Sequence, residues 1–176
     1  MTPLKMTKLI DERKIATRVK EMGAEITKLC KKDDLIAVCV LKGSFIFFSD
    51  LVRAIDADIK VDFLGCSSYG QSTKSSGEVK LTLDLNNGIE GKNVLLIEDI
   101  VDTGLTMSFL KKTLAARSPK KILTATLLFK PAALKVDFKP DFVGFEIGNE
   151  FVVGYGLDYQ GYYRNVPHIA VVNNLN

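Results

Sequence analysis

Two runs, LIAVCVL (35–41) and NVLLIED (93–99), are apolar through almost their whole length instead of alternating. A strand with one wet face alternates with period two, whereas one apolar on both sides must be covered on both sides. Helical periodicity surrounds these runs. Ile15, Val19, Met22, Ile26 and Leu29 mark an amphipathic helix over 11–31, KGSF opens a second to about Ile55, and 104–116 reads as a third. VDFLGC (61–66), VKLTLDL (79–85), KILTATLLF (121–129), DFVGFEI (141–147), FVVGYG (151–156) and HIAVV (168–172) supply further strands. Strands alternating with helices predict a three-layer α/β fold around a mostly parallel sheet. At 176 residues, with no repeat and no long linker, a single domain is expected over 1–176.

Ligands of such sheets gather at the carboxyl ends of the strands, beside helix N-termini. VLLIEDIVDTGLTM (94–107) marks one such place. Glu98, Asp99 and Asp102 put three carboxylates directly after a buried strand, which is costly unless something needs them. In Thr103–Gly104–Leu105–Thr106, backbone amides and two hydroxyls can surround a phosphate, and the positive end of the following helix favours the same anion. Glu98 and Asp99 would repel that phosphate within one pocket. A few ångströms away they can accept hydrogen bonds from vicinal sugar hydroxyls or hold a hydrated Mg²⁺. A phosphorylated ribose meets both demands. Helix capping by Asp102 or Thr103 would explain those residues, but not Glu98 and Asp99.

Neither G-x-x-x-x-G-K-[ST] nor G-x-G-x-x-G occurs, and the spacing of Asp99 and Asp102 does not match a D-x-D hydrolase motif. The string instead resembles the phosphoribosyl-pyrophosphate (PRPP) motif of type I phosphoribosyltransferases, in particular their hypoxanthine–guanine branch. KPDFVGFEI and FVVGYGLDYQGYYRN extend the likeness over most of the chain. The resemblance implies a small hood, made from N- and C-terminal segments, over the central sheet. It implies transfer of the phosphoribosyl group from PRPP to hypoxanthine or guanine, giving IMP or GMP and pyrophosphate. By resemblance, Glu98 to Thr106 hold the ribose phosphate, and LKGSFIFFSDL (41–51) is the pyrophosphate loop, with Lys42 and Gly43 as its ligands. SSYGQSTKSSGEVK (67–80) becomes a lid in which Ser68 and Tyr69 close over pyrophosphate and exclude water. Arg164 becomes a further pyrophosphate ligand.

The same resemblance places the purine pocket in a hood drawn mainly from 130–176. Lys130 would donate to the purine O6, Phe151 stack on the ring, and the Val152 backbone read its edge. Asp158 would approach Mg²⁺ through water, joining Glu98 and Asp99 as metal residues. Asp102, near the purine N7, is the expected general base. Family members often place a cis peptide before the residue matching Lys42, so Leu41–Lys42 is expected to be cis or to flip on ligand binding. Ser44 departs from the pattern, because a second glycine often stands there. Assembly as a homodimer or homotetramer is expected as well.

Other classes are less well served. Net charge is +3 and the lysine pairs are scattered, so no basic face supports an RNA-binding regulator of the same fold. The Lys130 donor suits a 6-oxopurine better than adenine, while hypoxanthine, guanine and xanthine are not ranked by it. No cleavable leader and no apolar run near 18 residues is seen, so a cytoplasmic protein without membrane association is expected. Cys30, Cys39 and Cys66 lack metal-type spacing and are expected as reduced thiols. His168, the one histidine, permits no histidine metal cluster and is expected to be structural.

Overall fold

The computed structural model describes residues 4–30, 34–68 and 79–174. Six strands form the main sheet in the order β4-β3-β2-β5-β6-β7. These are β2 (Leu35–Leu41), β3 (Ile59–Ser68), β4 (Val79–Leu83), β5 (Asn93–Val101), β6 (Lys121–Phe129) and β7 (Phe142–Glu146). All run parallel except β4, which returns antiparallel along β3. The fully apolar runs occupy the centre: every residue from Leu35 to Val40 and from Val94 to Ile97 is buried.

Burial on both faces requires two helical layers. Helices α1 (Glu12–Cys30) and α2 (Phe45–Ala54) cover one face, where Ile15, Met22, Phe47 and Leu51 meet Leu95 and Ile97. Helix α3 (Leu105–Ala115) covers the other, with Met107, Leu110 and Leu114 on Val94 and Leu96. The expected three-layer architecture is therefore present. At the return into β5, the buried Asp62 carboxylate accepts from the Asn86 and Asn87 amides and the Asn87 side chain. These bonds hold the carboxylate below its usual range against the opposing effect of burial.

A second, antiparallel sheet has the order β1-β9-β8, made from β1 (Met6–Ile10), β8 (Val152–Val153) and β9 (Ile169–Val172). It is the small sheet of N- and C-terminal segments that the resemblance implies. Two details differ from the sequence reading. FVVGYG is a strand for only two residues, after which Gly154, Tyr155 and Gly156 all take positive φ (99°, 49° and 104°) and fold the chain sharply. Strand β1 carries no readable signal, because four of its five residues are exposed and only its distant partner β9 gives it form.

Candidate active site

The carboxyl ends of β2, β5 and β6 deliver the expected residues to one edge of the sheet. Glu98 and Asp99 lie at the end of β5, half-buried. Burial raises the Glu98 carboxyl well above its ordinary range, and the neighbouring Asp99 charge adds to the rise. Asp99 is pushed up to about 6 by burial, against the Ile100 N–H that donates to its Oδ1 at 2.9 Å. The Cys66 thiol on β3 is raised to about 11, first by burial and then by these two carboxylates. The site thus concentrates negative charge that its own surroundings resist.

That resistance has a sign in stability. Between the ordinary value of 3.8 and the folded value of about 6, native Asp99 binds more protons than the unfolded chain does. Stability of the ligand-free protein should therefore fall as pH rises through this window and level off above it. Asp99→Asn keeps an acceptor for Ile100 and removes the charge. It should stabilise the ligand-free protein at pH 7–8 by up to about 3 kcal/mol, because each pKa unit is worth about 1.4 kcal/mol. Equal or lower stability of the variant in denaturant titrations at pH 7.5 would contradict the argument.

After β5 the chain turns through Asp102, Thr103 and Gly104 into α3. Gly104 has φ 77° and is walled in, since a β-carbon there would lie 3.0 Å from Leu134 and 3.1 Å from Val136. The Lys135 N–H donates to the Thr103 carbonyl at 3.0 Å and closes the loop from outside. Leu105 and Thr106 begin the helix, whose first-turn amides have no intrahelical acceptor. The Leu105 N–H reaches Thr103 Oγ1 only at 3.4 Å. Asp102 caps nothing. Its carboxylate accepts instead from Lys130 Nζ at 3.1 Å, and the pair is asymmetric, with 8 % of the lysine side chain exposed against 49 % of the aspartate's.

The Leu41–Lys42 peptide is cis, as the resemblance implies. Lys42 is exposed, and Gly43 lies so close to Asp99 that a β-carbon would sit 1.7 Å from Oδ2. Ser44 is fully buried; its hydroxyl donates to the Val40 carbonyl and lies 3.2 Å from Cys39 Sγ. The extra hydroxyl at this position ties the loop back onto β2. Ser68 ends β3 opposite Val79, and its side chain lies outside the described structure, as does Tyr69. The expected lid over 67–80 is described only at its two margins.

From the small sheet come Phe151, 44 % exposed and edge-on to Tyr159 at 5.9 Å between ring centres, and the buried Val152. Phe151 is thus not a core residue; its ring is available. Arg164 donates to the Gly156 carbonyl at 2.6 Å and pairs with Asp158 Oδ1 at 2.6 Å, while Asp158 Oδ2 accepts the Gly161 N–H at 2.7 Å. Among the described residues, no three acidic, histidine or cysteine groups converge as a ready metal site, and Asp158 is committed to Arg164 and Gly161. Glu98 and Asp99 remain a fit for a hard cation, being two oxygen donors whose charges oppose each other.

Comparison with known proteins identifies the family. A model of the phosphoribosyl transferase domain matches residues 6–160. The chain belongs to the phosphoribosyl transferase family. The hypoxanthine-guanine phosphoribosyltransferase of Bacillus subtilis is 50 % identical over 164 residues, covering 93 % of this chain and 91 % of that protein. The enzyme of the same name from Aquifex aeolicus is 46 % identical over 171 residues, 97 % and 96 % of the two chains. A crystal structure of a hypoxanthine phosphoribosyltransferase from Staphylococcus aureus superposes with a TM-score of 0.92 at 44 % identity, covering 97 % of this chain and 92 % of that one. A family enzyme needs a site for a phosphorylated sugar, and the edge of β5 and α3 has the parts for one.

Proposed function

We propose that the protein is a purine salvage transferase. It moves the 5-phosphoribosyl group from PRPP to N9 of hypoxanthine, guanine or both, giving IMP or GMP and pyrophosphate. The observation that carries this reading is the Lys130–Asp102 pair. It sets a donor suited to a 6-oxo group beside an acceptor for the proton on N7, at the mouth of a phosphate-binding loop. The named activities of the Bacillus and Aquifex relatives support the same substrates.

In this mechanism N9 of the base forms a bond to the anomeric carbon as the bond to pyrophosphate oxygen breaks. The N7 proton passes to Asp102, which acts as general base. The amides and hydroxyls of Thr103 to Thr106 hold the 5′-phosphate, with the helix dipole behind them. Glu98 and Asp99 hold the ribose hydroxyls and Mg²⁺, which when bound supplies positive charge against the pyrophosphate. Lys42 and Arg164 receive the leaving group's negative charge, and Gly43 lets its backbone approach. Ser68 and Tyr69 close the lid. Phe151 stacks on the purine and the Val152 backbone reads its edge, which makes the small sheet a purine hood. Asp158 positions Arg164 and would approach a bound Mg²⁺ through water, as the resemblance implies.

Self-association belongs to the same reading. Phe45, Val61, Phe63 and Leu83 are each 40–46 % exposed, an apolar surface of the kind that a second copy covers. We place the enzyme in the cytoplasm, where the free thiols Cys39 and Cys66 stay reduced. Among the described residues no helix is long and apolar enough to cross a membrane. Light scattering that returned a monomer at micromolar concentration would remove the assembly from this proposal.

A base-exchange assay with PRPP, Mg²⁺ and a panel of nucleobases tests the function. Hypoxanthine and guanine should react and adenine and orotate should not. Removing the ammonium in Lys130→Met should raise the Michaelis constant for the 6-oxopurine by roughly 10–100-fold, the worth of a hydrogen bond to a charged group. The constant for PRPP should change far less. Equal effects on both substrates would mean a misassigned pocket or a misfolded variant.

A further inference from the structure

Lys42 and Arg164 come from opposite ends of the chain, yet both are assigned to one pyrophosphate. Something must hold them in register. The loop that carries Arg164 is rigid in itself: Gly154, Tyr155, Gly156, Gln160, Gly161 and Tyr163 all have positive φ. Within it the Gly156 N–H donates to the Arg164 carbonyl at 3.0 Å, and Arg164 donates back to the Gly156 carbonyl. This loop touches the pyrophosphate loop and its helix at two points. At the first, Gly156 presses on the Gly43 carbonyl so closely that a β-carbon would lie 2.0 Å from the oxygen.

The second point is the Tyr155 hydroxyl, which donates to Asp50 Oδ2 on α2, the helix that starts directly after Ser44. Tyr155 is 7 % exposed, and its own N–H is fixed to the Val166 carbonyl at 2.7 Å. The other Asp50 oxygen is held by Arg53. Neither Tyr155 nor Asp50 has a part in the chemistry described above. We infer that Tyr155 and Asp50 are positioning residues, a latch between loop and helix that fixes the spacing of Arg164 from Lys42 and so sets affinity for pyrophosphate. The inference rests on the assignment of those two cations to pyrophosphate.

Tyr155→Phe removes only the hydroxyl, and the half-exposed Asp50 can turn to water. Asp50→Ala removes the acceptor, whereas Asp50→Asn keeps one. Calorimetric titration of each full-length variant with magnesium pyrophosphate should show affinity weakened roughly threefold to tenfold for Tyr155→Phe and Asp50→Ala, the span of one hydrogen bond. Asp50→Asn should stay within about twofold of wild type, and the double variant Tyr155→Phe/Asp50→Ala should be no worse than either single change. The Michaelis constant for PRPP should move with pyrophosphate affinity while that for the base does not.

Lower thermal midpoints with unchanged pyrophosphate affinity would show a merely structural bond and overturn the inference. So would Asp50→Asn matching Asp50→Ala. If Tyr155→Phe fails to fold, the two Asp50 variants decide alone. Wild type that binds pyrophosphate without transferring phosphoribosyl groups would overturn the proposed function and leave the latch to the titrations. Wild type that binds no pyrophosphate would overturn the latch.

Discussion

Asp102→Asn should lower turnover by roughly 10²–10⁴, the usual contribution of a general base, while the Michaelis constant for PRPP changes only a few-fold. The substitution is nearly isosteric and leaves an oxygen for Lys130 Nζ, which bonds this side chain at 3.1 Å. It removes the capacity to take a proton and, with it, the charge opposite the Lys130 ammonium. Asp102 makes no helix cap, so any stability lost comes from its ion pair with Lys130 and is read separately by thermal unfolding. The variant should remain folded at the assay temperature in thermal unfolding, and single-turnover kinetics should show the loss in the chemical step. Turnover near that of wild type would mean that the N7 proton leaves by another route.

Removing divalent metal should have a comparable effect. Glu98 and Asp99 both sit above their ordinary carboxyl range, Glu98 through burial and the Asp99 charge, Asp99 chiefly through burial. A cation relieves both, and PRPP brings further oxygens to it, so two protein carboxylates suffice for Mg²⁺. Excess chelator should therefore lower turnover by roughly 10²–10³-fold, corresponding to several kcal/mol of charge stabilisation, with recovery on adding Mg²⁺ or Mn²⁺. Undiminished turnover in chelator would refute this part of the mechanism. In the same experiment metal affinity should weaken as pH falls through about 6, where Asp99 takes up its proton.

The sequence was most legible where one physical demand dominated. LIAVCVL is β2 residue for residue and KILTATLLF is β6, because strands covered on both faces read as nearly continuous apolar or β-branched runs. The turn between β5 and α3 stood out through the unexplained carboxylates around it. Legibility failed where a partner distant in sequence decides. Strand β1 exists through β9, and the Lys130 bond to Asp102 spans 28 positions. FVVGYG misled because valine and tyrosine favour strands. The two glycines flanking Tyr155 were the available signal for a turn. The Asp158–Arg164 pair, six positions apart across a turn, had no signal in the sequence either.

The small sheet joins Met6 to Val172, and the bond from the Lys5 N–H to Asn174 spans 169 positions. During synthesis β1 leaves the ribosome early and must wait, unpaired, until β9 has been made. The parallel sheet, whose strands all precede β8, can assemble in the meantime. A polypeptide interrupted before Ile169 would thus carry the phosphate loop without a completed face for the base. Such fragments should resist protease over 93–146 while β1 is trimmed, and they should release no nucleotide. Translation that stops short then yields a silent product, not a transferase with relaxed choice of acceptor.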